Sequence, residues 1–527
     1  MGESDSLRRD RERSVAPRPM SVSESSFPWS MIAVVVGSLV TVGILWGTAM
    51  PLGIPGEWVW ERLPADPQTM ANLLLAAFGA VLYLGFVILG ERRLSREAVS
   101  KAETIGWLIG LGVAGFCWLW TVQETAPPAA QLGKAPFVLF YPGSSGYFLH
   151  ARYKAPQAGP FLRSYEALMR EGDVLHEGTH PPGLFLVFHG LIAFIDAQTW
   201  VIPWLQSTVP QSVQEAFEVI RENEQHSLHG LDAPADRAVL WLATLLAMTA
   251  TAATVWPLYG HLRATYDRPT SWTATALWPA VPAAAVFLPK SDAVFPFLAC
   301  LTLLMLMKSL HHRSLWRGLV AGLILFAALF SSLAFLPVML FGVLGTIAYG
   351  VRDSDRQQGL RNLLPTVMGV IVGLLVPIVL LWLVTRMNLF TVWSWNLHNH
   401  AGFYGKFTRT YWKWLLVNPA ELGFALGAPL TIAAMIGLPL RRQWTEWSHA
   451  DVMAVLAVGV WGLLWLSGKN SGEAARLWVL FLPAAVWMAA NGWQHAAVST
   501  RQRWLWLALQ LAVSIATVHR VAGFHFG

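Results

Sequence analysis

An all-α, polytopic membrane bundle is the fold class this chain predicts, and three observations predict it. Only 13% of its 527 residues are charged, against about 25% in an ordinary soluble domain. Hydrophobic residues make up 55% of the chain, with a mean hydropathy of +0.46. Apolar runs of about 17–25 residues, the length that crosses a bilayer, recur along the whole sequence. Spanning segments must satisfy their own backbone hydrogen bonds, so the runs are read as helices.

Taken in order, residues 1–29 form a polar leader with Arg8, Arg9, Arg11 and Arg13, read as a disordered cytosolic tail. No cleavable signal peptide is evident. Candidate spans follow near 30–49, 71–90, 105–122, 237–259, 271–289, 293–309, 317–332, 334–350, 363–385, 420–438, 451–467, 476–491 and 503–520. That is about thirteen helices of spanning length. Cys117 and Cys300 both fall inside apolar runs and are read as buried free thiols. The 28 tryptophans suit interfacial belts, where an indole keeps one edge wet.

The net charge of +6 sits mostly in short loops, which suits orientation in a membrane and gives no nucleic-acid footprint. "GERRLSREAVSK", "HLRATYDR", "HHRSLWR", "RDSDRQQGLR", "PLRRQW" and "STRQRW" form the basic set, assigned to the cytosol. With the N-terminus cytoplasmic, residues 123–236 then begin and end on the external side of a plasma-type membrane. Within that loop, the apolar stretch after "THPP" holds His189, ends at Asp196 and is short for a span. It is predicted to lie on the membrane as an interfacial helix.

Four segments resemble the GT-C superfamily of integral-membrane glycosyltransferases, which includes protein O-mannosyltransferases, aminoarabinose transferases and arabinofuranosyltransferases. "GDVLHEGTHPPGLFL" resembles the His-Pro-Pro corner that opens a juxtamembrane helix in that family. "APADRAVLWLATLLAMTATAATVWPLYGHLRA" is similar to its returning helix, and "LWPAVPAAAVFLPKSDAVFPFLACLTLLML" to the next hairpin with an acid in its turn. "GEAARLWVLFLPAA" resembles a late Glu-x-x-Arg turn. The likeness covers about residues 105–490; the organisation it implies is a core over 105–527 preceded by two additional helices over 30–104.

The resemblance implies transfer of a sugar from a polyprenyl-phosphate donor to a glycan, lipid or protein acceptor, beside membrane lipids. It names no certain cofactor and leaves a divalent cation open. One departure bears on the chemistry: where the family carries Asp-Glu or Asp-x-Asp, this chain reads "YPGSSGYFLHARY", with Ser144, Ser145 and Gly146. The base has moved, the chemistry has diverged, or catalysis has been lost.

Such a transfer needs a carboxylate to take the acceptor proton and cations on the departing phosphate. Asp173, Asp292 and Glu124 are the candidate bases, with plain turn-forming or solvated roles as the alternatives. His180 opens the corner whose prolines aim the following helix, and is either a substrate contact or a local hydrogen-bonding group. Arg476 is the candidate phosphate ligand, paired with Glu473 three residues earlier and supported by Lys469 and Lys290. The stretch "SWNLHNHAGFYGKFTRTYWKW" adds His398, His400, Arg409 and Tyr411 as substrate contacts, or else as an interfacial belt; no third ligand marks a metal site. Two other classes compete: a transporter or flippase for lipid-linked sugars, and a non-catalytic glycolipid-binding relative. The first predicts inverted repeats and mid-membrane ionisable groups.

Overall fold

A computed structural model describes residues 27–65, 68–224, 231–352, 356–440 and 442–524. The tail containing Arg8, Arg9, Arg11 and Arg13 lies outside the described residues, as do parts of the "RDSDRQQGLR" and "PLRRQW" loops. The chain is predominantly helical, as its composition predicts.

Helix α1 (Phe27–Gly47) leads into a hairpin of β1 (Leu52–Ile54) and β2 (Trp58–Arg62), then α2 (Thr69–Leu94) and α3 (Lys101–Glu124). The large loop carries α4 (Ala158–Arg170), α5 (Gly183–Ala197), α6 (Val201–Ser207) and α7 (Gln211–Asn223). The bundle resumes with α8 (Pro234–Ala253) and α9 (Val255–Arg263), then α10 (Phe295–His312), α11 (Leu315–Ser331), α12 (Leu336–Val351) and α13 (Arg356–Thr385). After these come α14 (Leu389–Lys406), α15 (Tyr411–Leu426), α16 (Ala428–Ile436), α17 (His449–Leu466), α18 (Pro483–His495) and α19 (Thr500–Val518). A final strand, β3 (Val521–Ala522), pairs antiparallel with β2, matching Glu61 to Ala522.

Among the described residues, eight helical stretches are long and apolar enough to cross a membrane. The number reaches ten if the bent pairs α5–α6 and α15–α16 each count as one span. The reading of about thirteen spans is not reproduced as unbroken helices. Residues 271–289 form a short helix, a 3-10 turn at Trp278–Ala280 and another short helix at Pro282–Val286. Residues 476–491 break likewise around Val479–Phe481. Prolines 279, 282 and 483 sit at these breaks, where a missing N–H cannot continue a helical ladder. Residues 272–289 are buried throughout, so this apolar run is bundle core rather than lipid-facing surface.

The loop that follows α3 starts and finishes at one end of the bundle. Trp120 near the end of α3 stacks edge-on against Trp241 near the start of α8, at 5.7 Å. At the other end, Trp256 of α9 donates to the Leu108 carbonyl at 2.8 Å, so α3 runs antiparallel to α8–α9. Helix α5 spans 15 residues, about 22 Å at 1.5 Å per residue, and the chain then turns by 108° into α6. Trp200 and Trp204 at this bend are exposed.

Two glycine pairs set a close helix contact. An added Cβ at Gly318 or Gly322 of α11 would strike the Thr366 or Val370 carbonyl of α13, and at Gly369 or Gly373 the Leu315 or Leu319 carbonyl of α11. Small residues four apart on both helices bring the backbones together, a packing mode common in membranes.

Candidate functional site

The site forms where the large loop covers the buried turn between residues 287 and 295. Gly146 takes a left-handed φ of 74°, which reverses the chain after Ser145 and starts the short helix Tyr147–Leu149. Tyr147 is thereby placed against the His176 and His180 rings, at 6.4 and 5.9 Å between centroids. The two imidazoles lie 6.0 Å apart.

Opposite them stand Lys290 and Asp292. These residues are only 4% and 8% exposed, because the loop and the 474–482 segment pack over them. Lys290 Nζ approaches His176 Nε2 at 3.4 Å. Arg476 Nε lies 3.6 Å from Asp292 Oδ2, an ion pair too long for a hydrogen bond, while its Nη2 donates to Glu473 at 3.0 Å. Glu473 holds a left-handed φ of 58°, uncommon for a side chain of its size, and this conformation opens the short helix that presents Arg476.

Burial dominates the electrostatics. It lowers the Lys290 ammonium to about 7, with repulsion from Arg476 adding to it and Asp292 and Glu473 opposing it. His180 falls to about 3, first from burial and then from Lys290 and His400. His176 is driven well down for the same first reason, so both imidazoles are neutral near pH 7. Burial pushes the Tyr147 phenol up, with the Asp292 carboxylate adding to the effect. The Thr179 hydroxyl donates to the Leu175 carbonyl and lies 3.1 Å from His180 Nδ1.

The predicted bases occupy different settings. Glu124 accepts from the Leu132 amide at 3.0 Å and from Ser212 at 2.9 Å, fastening α7 to the end of α3. Asp173 accepts from the Leu175 and Gly178 amides at 3.3 and 3.0 Å, forming the turn that precedes the proline corner. The Asp292 carboxylate takes no hydrogen bond from any described residue and shares Arg476 with Glu473.

The aromatic stretch divides in the same way. His398 is exposed and packs on Trp395 at 5.4 Å, whereas His400 sits near His180 and Lys469. Two residues apart on α14, the histidines project in different directions. Among the described residues, no group of three or more His, Cys, Asp or Glu is arranged to hold a metal ion. Arg409 donates to the Glu57 carbonyl at 2.7 Å, and Tyr411 to that of Leu466 at 2.8 Å. Lys469 is exposed, its carbonyl accepting from Tyr404.

Several contributors carried no sequence signal that singled them out. Asn396 and Asn399, three apart on the buried face of α14, donate to the Gly178 carbonyl at 2.9 and 3.0 Å, and Asn396 also reaches the His180 carbonyl at 3.1 Å. Tyr165 donates to that same carbonyl at 2.7 Å. Glu57, at the β1–β2 turn, accepts from Thr410, Lys413 and Trp414; burial opposes its charge, but these bonds hold it down to about 2. Glu421 accepts from the Ala475 amide at 3.1 Å, behind Arg476. No protein-family profile, curated protein or solved structure matches the chain, and the site stands on its own geometry.

Proposed function

We propose that this chain is an integral-membrane glycosyltransferase that moves a sugar from a polyprenyl-phosphate donor to an acceptor hydroxyl at the external face of a plasma-type membrane. One observation carries the reading: Lys290 and Asp292 are buried beside Arg476, whose side chain is 13% exposed, under the large loop that carries the His-Pro-Pro corner. Arg476 Nε and Tyr147 Oη are buried and have no hydrogen-bond partner among the described residues. Buried polar groups in that state are where a bound group completes the pairing.

The acceptor oxygen attacks the anomeric carbon as the bond from that carbon to the phosphate oxygen breaks. The bond's electron pair stays on the phosphate, and the anomeric configuration inverts. Asp292 takes the acceptor proton, a role worth about 10²–10⁴-fold. The Arg476 fork and the Lys290 ammonium hold the phosphate oxygens as charge develops on them. Asp292 is preferred over Asp173 and Glu124 because the oxygens of those two already serve backbone or serine donors.

The test is release of lipid phosphate from a radiolabelled polyprenyl-phosphate sugar by the purified protein. Turnover that Asp292→Asn and Arg476→Met reduce by about 10²-fold or more supports the enzyme. A second reading, a non-catalytic glycolipid binder, draws on the missing family acid near Ser144–Gly146. Donor binding without turnover would establish that reading instead.

A further inference from the structure

A cavity of about 550 Å³ opens between α10, α12 and α17, apart from the cluster around Arg476. Its inner end is apolar, formed by Ala299, Cys300 and Phe481. Its mouth is ringed by Arg263, Lys308, His311, His312 and His449. No Asp or Glu is present among the described residues that line it. From Ala299 to His312 the groove follows α10 for about 20 Å at 1.5 Å per residue. Asp292 lies just before the start of α10 and the basic ring at its end, so mouth and candidate site face opposite membrane surfaces.

We propose that this groove binds one anionic lipid, its phosphate at the Lys308–His311 mouth and an acyl chain along α10 towards Phe481. The volume is more than three times that of an apolar void of about 150 Å³ that takes up benzene, so a hydrocarbon chain has room to enter. Basic groups beside the acyl boundary attract anionic headgroups. A neutral lipid would fill the apolar part and leave the ring unanswered; free phosphate would answer the ring and leave the apolar part empty. The inference does not depend on the sugar-transfer reading, since none of the proposed catalytic groups lines the groove.

The full chain is reconstituted in nanodiscs of phosphatidylcholine with trace phosphatidylglycerol, then stripped with detergent, and the retained lipid is counted by native mass spectrometry. The expected result is about one phosphatidylglycerol per chain, enriched at least tenfold over phosphatidylcholine. Lys308→Glu with His311→Glu changes two exposed side chains and should abolish that enrichment. Ala457→Phe, which fills the groove wall, should remove the bound lipid altogether. Equal retention of the two lipids, or enrichment that survives the double substitution, overturns the proposal. Displacement by millimolar inorganic phosphate would also overturn it, by showing that the mouth alone binds. If Ala457→Phe fails to fold, the surface pair still decides.

Discussion

Lys290 is the residue whose environment makes the sharpest demand. Its ammonium is buried beside a second cation, and its folded-state value of about 7 lies below the 10.5 of the free side chain. Between those limits the unfolded chain binds more protons than the folded one, so this group's contribution to stability rises with pH across about 7 to 10.5. Below pH 7 the native state bears the whole cost of the buried charge. Lys290→Met should therefore unfold at a higher temperature than the parent at pH 6.5, and the gap should close as pH approaches 10. Melting curves at four or five pH values check this; a constant gap would mean that the ammonium is not desolvated. Under the proposed sugar transfer, the same titration should weaken donor binding between pH 6 and 8. Lys290→Arg, which keeps its charge, should flatten that dependence in KM while kcat is followed separately.

At the scale of elements, the apolar runs were legible because a spanning helix requires an uninterrupted apolar length. What hydropathy does not separate is a lipid-facing helix from a buried, broken one. Residues 271–289 read as a span for that reason, and the prolines that break them mark the difference. The His-Pro-Pro corner was legible as a motif, but its bracing by Asn396 and Asn399 was not. Those asparagines sit beside His398 and His400, and only the helical phase shows which side chains face inward. Asn396→Ala removes a side chain that is 1% exposed and its bonds to the Gly178 and His180 carbonyls, which Asn399 and Tyr165 still serve, so the melting temperature should fall by the equivalent of about 0.5–1.5 kcal/mol, the net worth of a hydrogen bond. Gly322 and Gly369 give a second test. Gly322→Leu drives a side chain into the α13 backbone and should cost at least the roughly 1–3 kcal/mol of an overpacked core, read as a lower melting temperature. A tolerated Leu would show that α11 and α13 do not pack this closely.

For the whole molecule, the first helices join the fold through its last one. Strand β2 pairs with β3, and Arg62 and Arg520 both donate to the Leu45 carbonyl. Trp46 donates to the Ala516 carbonyl at 3.0 Å. Deeper in the bundle, Arg503 of α19 meets Glu91 of α2 at 2.8 Å, with Glu91 only 1% exposed and Trp504 donating to its other oxygen. Through Glu57 the same N-terminal hairpin fixes the 408–414 segment, where an added Cβ at Gly472 would lie 3.1 Å from Arg409 Nε. Helices 30–104, read from sequence as an addition before the core, are thus tied both to the end of the chain and to the approach to the site. The pairing of Glu91 with Arg503 had no signature in the sequence, since nothing local links residues so far apart. Removing one member of a buried ion pair costs about 3–5 kcal/mol, because the other charge is left without a partner. Replacing both by apolar groups of similar volume is often neutral. Glu91→Met alone should lower the melting temperature sharply, and Glu91→Met with Arg503→Met should recover most of that loss. Trp504 loses its acceptor in both variants, so its contribution cancels in the comparison. A double variant as unstable as the single one would show that α2 and α19 are joined by packing alone.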